Sequence, residues 1–297
     1  MKLSAIVVWY HPNEENYRNI LKYIDEVDKV YVVDNTPNKD NSSLIDSKKY
    51  KKIEYISLND NLGIAKALNV GFEHVIKDKF DWALTMDQDS IFKSGDVTKL
   101  KDFIQEIKNN KKTAKIYDLN YEKLGIVSPF HLTERSKNEK PEGISKPLVI
   151  MTSGNMVSVE AYKKVKGFKN WLFIDAVDFD FGLNLRQHGY EIVQLNSVKL
   201  NHPLGDTKEK HILGKTVYTS NHNAMRRYYI TRNRYYIYDM YHNEKDFEIF
   251  CNLERRNTKR EFIKILLFEK DKINKCKSMI KGYRDYKKGI RGKGDLK

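Results

Sequence analysis

Short apolar runs that alternate with helix-period segments set the limits on how this chain folds. "LSAIVVWY" (residues 3–10) is a continuous, β-branched run, as expected of a strand covered on both faces. "NEENYRNILKYIDEV" follows, with Tyr17, Ile20, Leu21 and Ile24 at helical spacing. "KVYVVDN", "IEYISL" and "WALTMD" read as strands two, three and four, with "IAKALNVGFEHVIK" a helix ahead of the last. This βαβ alternation predicts an α/β fold with a mostly parallel sheet and helices on both faces. In such sheets ligands bind off the carboxyl ends of the strands.

Beyond strand four, "VTKLKDFIQEIKNN" is helical and "KLGIVSPFHL" is a strand running into a polar loop, "RSKNEKPEGISK". "PLVIMTSGNMVS" reads as a strand-pair region, "VEAYKKVKGF" and "DFGLNLRQHGY" as helices, and "EIVQLNSVKLNH" as the last strand. From about Lys208 the chain is expected to turn helical. The division expected is a nucleotide-binding and catalytic domain over 1–207 and a basic helical region over 208–297.

Charge supports that division. From Lys208 to Lys297 there are 24 Lys and Arg against 11 Asp and Glu, whereas the first 207 residues carry 30 against 29. A basic third suits nucleic acid, anionic lipid or phosphate-bearing substrates. With 40% hydrophobic and 32% charged residues a packed core is expected and global disorder is not. No stretch approaches the roughly 18 apolar residues of a membrane span. Two cysteines offer neither a disulfide framework nor a zinc pattern, which suits a cytoplasmic protein.

Acids gather at the strand ends. Asp34 closes strand two, and Asp87 closes strand four with Asp89 two residues on. On an extended segment residues i and i+2 point the same way, so both carboxylates can face one ligand. Hard cations such as Mg2+ are held by one or two carboxylates together with phosphate oxygens. The alternative is that the acids cap whatever follows the strand. Asp34 reads either as a ribose- or base-binding carboxylate or as a turn residue before Asn35-Thr36-Pro37.

Asp175, Asp178 and Asp180 crowd ahead of a helix, more acids than its dipole calls for, and a general base is such a carboxylate. His202, at a strand end, is either a metal or phosphate ligand or a structural histidine. The chain contains no G-x-G-x-x-G and no P-loop sequence, which argues against a kinase, a P-loop ATPase or an ordinary dehydrogenase. G-x-S-x-G and H-E-x-x-H are missing as well.

Taken in order, "VVWYHP", "VVDN", "NLGIAKALNVG", "MDQDS", "TSGN", "FIDAVDFDF", "NHPLG" and "RRYYITRNRYY" resemble the GT-A-fold glycosyltransferases of family 2. Within that family the chain is similar to bacterial rhamnosyltransferases of capsule and O-antigen assembly. The resemblance implies a Rossmann-like GT-A sheet, mixed and mostly parallel, and a metal-dependent, inverting hexosyltransferase. It implies that Asp34 contacts the nucleotide, with Asn61, Gly63, Asp87, Ser153, Arg227 and Arg232 also at the nucleotide sugar. Asp87 and Asp89, with His202, would hold Mg2+ or Mn2+ on the donor diphosphate. Asp178 stands where the family's catalytic base stands. However, Val177 replaces the first acid of that motif and Asn184 replaces an Arg common in relatives, so Asp175 remains a competing base. The implied donor is dTDP-rhamnose, and the implied acceptor is a saccharide carried on polyprenyl diphosphate.

Two further readings concern the basic third. "RRYYITRNRYYIY" interleaves cations and aromatics as single-strand binders do, which makes a nucleic-acid-binding module the rival class. The gathered acids argue against it, because they would repel phosphate without an intervening metal. From Thr258 to Tyr283, Phe262, Ile265, Leu266, Ile273, Cys276 and Ile280 fall at helix-compatible spacings among lysines. Such a helix either binds peripherally at the inner face of the cell membrane or packs on the catalytic domain or on a second copy in a homodimer.

Overall fold

The computed structural model describes residues 1–134, 136, 138–202, 208–212 and 215–295. Arg135 and Lys137 of the polar loop, Pro203 to Gly205 of "NHPLG" and the boundary expected after Thr207 lie outside the described residues. In chain order the elements are β1 (Leu3–Trp9), α1 (Glu14–Leu21), β2 (Lys29–Asp34), β3 (Ile53–Ser57), α2 (Ile64–Lys77), β4 (Trp82–Asp87), α3 (Asp96–Asn109) and α4 (Lys111–Ile116). Then come β5 (Leu124–Leu132), β6 (Ile144–Ser145), β7 (Asn155–Ser158), α5 (Val159–Lys164), α6 (Val177–Gln187) and β8 (Glu191–Asn201). The chain continues with β9 (Lys208–Ile212), β10 (Lys215–Thr219), α7 (Ala224–Tyr241), α8 (Glu248–Phe268) and α9 (Lys272–Lys287).

The chain forms two compact units, Met1–Phe168 with Phe181–Pro203, and Lys169–Asp180 with Leu204–Lys297. In the first, an eight-stranded sheet has the order β3-β2-β1-β4-β7-β5-β8-β6. The β3-β2-β1-β4 half is wholly parallel, β7 runs antiparallel to both β4 and β5, and β6 runs antiparallel to β8. The sheet is therefore mixed and mostly parallel. Every residue of β1 is buried, as its unbroken apolar run predicts. Leu3, Ala5, Val7 and Trp9 join a core with Ile20 of α1 and Val97, Leu100 and Ile104 of α3. Ile6 faces α2, where Gly71 leaves the room that a Cβ would take from its side chain.

Helix α2 and strand β4 have the bounds read from sequence. The 147–158 stretch yields one strand, β7, instead of two. Gly154 ahead of it takes φ 82, and a Cβ there would stand 2.7 Å from Leu200 and 2.9 Å from Pro129, so the segment turns where a strand would have continued.

The second unit departs more from expectation. The chain does not turn helical at Lys208: β9 and β10 pair as an antiparallel hairpin first. The β-branched and aromatic run from Thr216 to Thr219 carries a strand preference that the surrounding charge does not override. The basic tail is two helices, not one. Glu269 is drawn inside by Arg227 (2.6 Å) and Lys275 (2.8 Å), and Asp271 takes a left-handed φ of 53, which breaks the helix. α9 lies close on α7 because Gly282 has no Cβ; one would stand 2.5 Å from the Tyr228 carbonyl oxygen. Tyr228, Tyr229, Tyr236 and Ile237 of α7 are buried.

Candidate active site

At the carboxyl edge of the parallel strands, β1 ends between two acids. Trp9 is in register with Asp34 of β2, and Val8 with Asp87 of β4. The strand order thus brings both acids to one edge of the first unit.

The second aspartate arrives by a different route from the one the extended pattern suggests. β4 stops at Asp87, and Gln88 and Asp89 form a turn in which the Ser90 amide donates to the Asp87 carbonyl (3.4 Å). After the turn, Ile91 bridges Asn201 at the end of β8 through paired backbone bonds of 3.0 Å. That bridge sets His202 beside the acids. Ligand atoms of Asp87, Asp89 and His202 all lie within 4.8 Å of one another.

Several side chains hold this turn in place. Gln88 clamps the end of β1, accepting from the Tyr10 amide (2.8 Å) and donating to its carbonyl (3.2 Å). Asn16 and Asn19 of α1 both donate to the Gln88 carbonyl at 3.1 Å. Ser153 Oγ accepts from the Asp87 amide (3.0 Å), and the Ser153 carbonyl is bound by His131 Nε2 at 2.7 Å. The buried Ser90 hydroxyl bonds His202 Nδ1 at 2.7 Å, which leaves Nε2 for a ligand. The His131 and His202 rings meet edge-on, 5.8 Å apart. Burial lowers the pKa of His131 to about 4, so it is neutral at pH 7. Sequence reasoning named Asp87, Asp89, Ser153 and His202 but missed Gln88, Ser90 and His131. The first two flank the aspartates in "MDQDS", and that adjacency was the available signal.

Asp34 is fully buried. It accepts from the Thr36 amide (3.0 Å), Asn41 Nδ2 (2.7 Å) and the Tyr55 hydroxyl (2.7 Å), and so organises the loop after β2. Next to it, Asn35 Nδ2 donates to Asn61 Oδ1 (3.1 Å), and Asn35 Oδ1 accepts from the Leu62 amide (2.8 Å). Asn61 Oδ1 also accepts from the Gly63 amide (3.0 Å), so this chain of bonds fixes the entry to α2, whose cap is Gly63.

The remaining acids belong to the second unit, and they occupy three different environments. Asp180 is fully buried and accepts from Lys169 (2.6 Å) and the Tyr241 hydroxyl (2.7 Å), a structural pairing. Asp175 is ion-paired with Arg226, whose Nε reaches its two oxygens at 3.1 and 3.3 Å. Burial pushes the Asp175 carboxyl above its usual range, against the pull of Arg226. Asp178 is half-buried in the first turn of α6, where it accepts from the Phe179 amide at 2.9 Å.

The loop ahead of these acids carries left-handed backbone at Phe173, Asp175 and Ala176, with φ of 66, 64 and 60. Such residues persist only where their surroundings hold them. Asn233, fully buried, donates to the carbonyls of Leu172, Ile174 and Asp175 at 2.8 to 2.9 Å. Arg232, equally buried, donates to the carbonyls of Gly292 (2.7 Å), Trp171 (3.3 Å) and Leu172 (3.4 Å). Arg227 is held by Glu261 and Glu269. In "RRYYITRNRYY", then, most of the cations and tyrosines build the interior of this unit, and Arg226 is the half-buried arginine of the first pair.

Residues 14–154 match the sequence model of glycosyl transferase family 2. A Shigella flexneri protein named dTDP-rhamnosyl transferase RfbF is 29% identical over 247 residues, 78% of each chain. Staphylococcus aureus TarS, in a crystal structure of residues 1–349 with UDP-GlcNAc, superposes with a TM-score of 0.62 at 14% identity, covering 98% of this chain and 82% of that one. The structure of GalNAc-T7 with UDP, GalNAc and Mn2+ gives a TM-score of 0.50 at 9% identity, covering 72% of this chain and 44% of its own. At such identities these likenesses establish the fold, which is GT-A.

Proposed function

We propose that this chain, whose residues 14–154 match the family 2 glycosyl transferase model, transfers L-rhamnose from dTDP-rhamnose to a hydroxyl of a growing cell-surface polysaccharide. The observation that carries this reading is the meeting of Asp87, Asp89 and His202 at the carboxyl edge of the parallel strands. The donor is suggested by the likeness to RfbF; the capsule or O-antigen setting and the lipid-linked acceptor follow from the sequence resemblance.

The two carboxylates suit Mg2+ or Mn2+, and the imidazole adds a nitrogen ligand that the softer Mn2+ accepts more readily than Mg2+. A cation held by Asp87, Asp89 and His202 would neutralise charge on the departing diphosphate. The protein's own part is to keep those three groups converged: Ser90 orients the imidazole and Ser153 anchors the Asp87 backbone. Asn61 and Gly63 shape the loop assigned to the nucleotide.

In the reaction, an acceptor hydroxyl oxygen bonds to the anomeric carbon while the bond from that carbon to the diphosphate oxygen breaks. The bonding pair leaves with dTDP, and the hydroxyl proton passes to Asp178 as general base. One displacement inverts the anomeric centre, so a β-linked donor gives an α-rhamnoside. Asp178 is taken as the base because it stands where the resemblance places the family's base, and Asp175, paired with Arg226, is the competing candidate. In this reading residues 1–207 bind the donor and 208–297 serve the acceptor.

The test is nucleoside diphosphate release from a panel of dTDP- and UDP-sugars, with and without saccharide acceptors. Release of dTDP from dTDP-rhamnose that depends on acceptor is expected. Efficient turnover of a UDP-sugar with none of dTDP-rhamnose would replace the donor assignment.

A further inference from the structure

The α8–α9 pair separates its charges in a way that its own fold does not require. From Glu248 to Lys288 there are 13 Lys and Arg and six Asp and Glu. Four of the six acids are turned inward: Glu254 pairs with Arg234, Glu261 with Arg227, Glu269 with Arg227 and Lys275, and Asp285 accepts from the Tyr228 hydroxyl. Only Glu248 and Asp271 are exposed, against eleven exposed lysines and arginines.

Large apolar side chains interleave with those bases. Along α8 and just past it, Lys259, Ile263, Leu266, Leu267 and Lys270 recur at three- and four-residue steps; along α9, Ile273, Lys277, Ile280 and Arg284 do the same. Ile263, Leu267 and Ile273 are 56%, 60% and 71% exposed. Between the helices lies an apolar groove of about 400 Å3 lined by Tyr235, Phe262, Ile263, Met279, Ile280 and Tyr283. Contiguous exposed apolar surface of this kind marks a place of contact.

We propose that this face seats on an anionic lipid bilayer. The charge pattern selects that occupant. A second copy of the chain would bring eleven bases against eleven, whereas an anionic surface attracts each of them. Aliphatic side chains flanked by long bases and a tyrosine suit the boundary between acyl chains and headgroups, where lysine stems lie along apolar surface and their ammonium groups stay in water. No described helix is long and apolar enough to cross a membrane, so the element lies on the surface without spanning it. The inference concerns the second unit alone and does not depend on the donor or the reaction.

The test is flotation of the full chain with phosphatidylcholine vesicles, alone or containing phosphatidylglycerol, at low and high salt. The variants are Ile263→Asp with Ile280→Asp, and Lys259→Glu with Lys277→Glu, all at exposed positions. The protein is expected to float with anionic vesicles at low salt. High salt or either double variant should reduce the bound fraction about tenfold or more. Circular dichroism and the mass in solution should stay unchanged. Absence of binding to anionic vesicles, or binding that neither pair of substitutions alters, overturns the proposal. A variant that turns a dimer into a monomer also overturns it, and assigns the face to a second copy. Binding of an acidic protein in place of vesicles assigns it to a protein partner. Transfer to a soluble acceptor, measured alongside, reports on the enzymatic reading separately.

Discussion

The Ser90 hydroxyl stands 2.7 Å from His202 Nδ1, joining residues 112 apart in sequence. Ser90 is fully buried, and the bond fixes the imidazole beside Asp87 and Asp89 with Nε2 left for a ligand. Its removal should loosen the ligand and leave both carboxylates in place. Ser90→Ala is therefore expected to weaken Mn2+ binding about 10–100-fold, the usual effect of losing an outer-shell partner. Calorimetric titration of Mn2+ checks this; unchanged affinity would reduce the bond to packing.

Asp89 is exposed and lies in a turn, so its replacement should leave the fold intact. Asp89→Ala is expected to abolish sugar transfer, with no change in the denaturation midpoint. Retention of full activity by this variant in EDTA would refute the cation role.

The candidate bases separate by what each variant does to stability. Asp178→Asn should lower kcat by about 10²–10⁴-fold with little loss of stability. Asp175→Asn deprives Arg226 of its ion-pair partner inside the strained loop, so its main effect should fall on the unfolding transition. If instead Asp175→Asn alone removes turnover while the fold stays intact, the base is Asp175.

Arg232→Lys should act on stability as well. Lysine cannot reproduce the set of bonds that Arg232 makes to the carbonyls of Gly292, Trp171 and Leu172. A loss of about 1–3 kcal/mol is expected from buried groups left unsatisfied, with donor KM unchanged. Denaturant titration and initial rates measure the two.

His131 sets a pH dependence. Its folded pKa of about 4 lies below the ordinary histidine value of 6.5, so the unfolded chain binds the proton more tightly. Stability should be unaffected by this residue above pH 6.5, fall as pH drops through the window from 6.5 to 4, and level off below it. The full effect is about 3 kcal/mol at the usual conversion of shift to energy. Comparing unfolding of the wild type and His131→Gln at pH 7.5 and pH 5 should show a steeper fall for the wild type.

Local pattern was enough to determine the strand–helix alternation, the continuous burial of β1, the bounds of α2 and β4, and the placing of Asp34 and Asp87 at one edge. Each follows from side-chain period and strand order, which act over a few residues at a time. The family was recognisable because its motifs keep their order along the chain. Tertiary structure alone decided which of those groups meet one another and which are enclosed by protein partners. Asp34, Arg227 and Arg232, expected from the resemblance at the nucleotide sugar, are buried with protein partners, because a buried charge or polar group must be matched where it lies. Conversely, His202 joins Asp87 and Asp89 only through the bridge from Ile91 to Asn201 and the bond to Ser90. The break between α8 and α9 has the same origin: Glu269 is exposed or buried depending on whether Arg227 and Lys275, distant or offset in sequence, meet it in space.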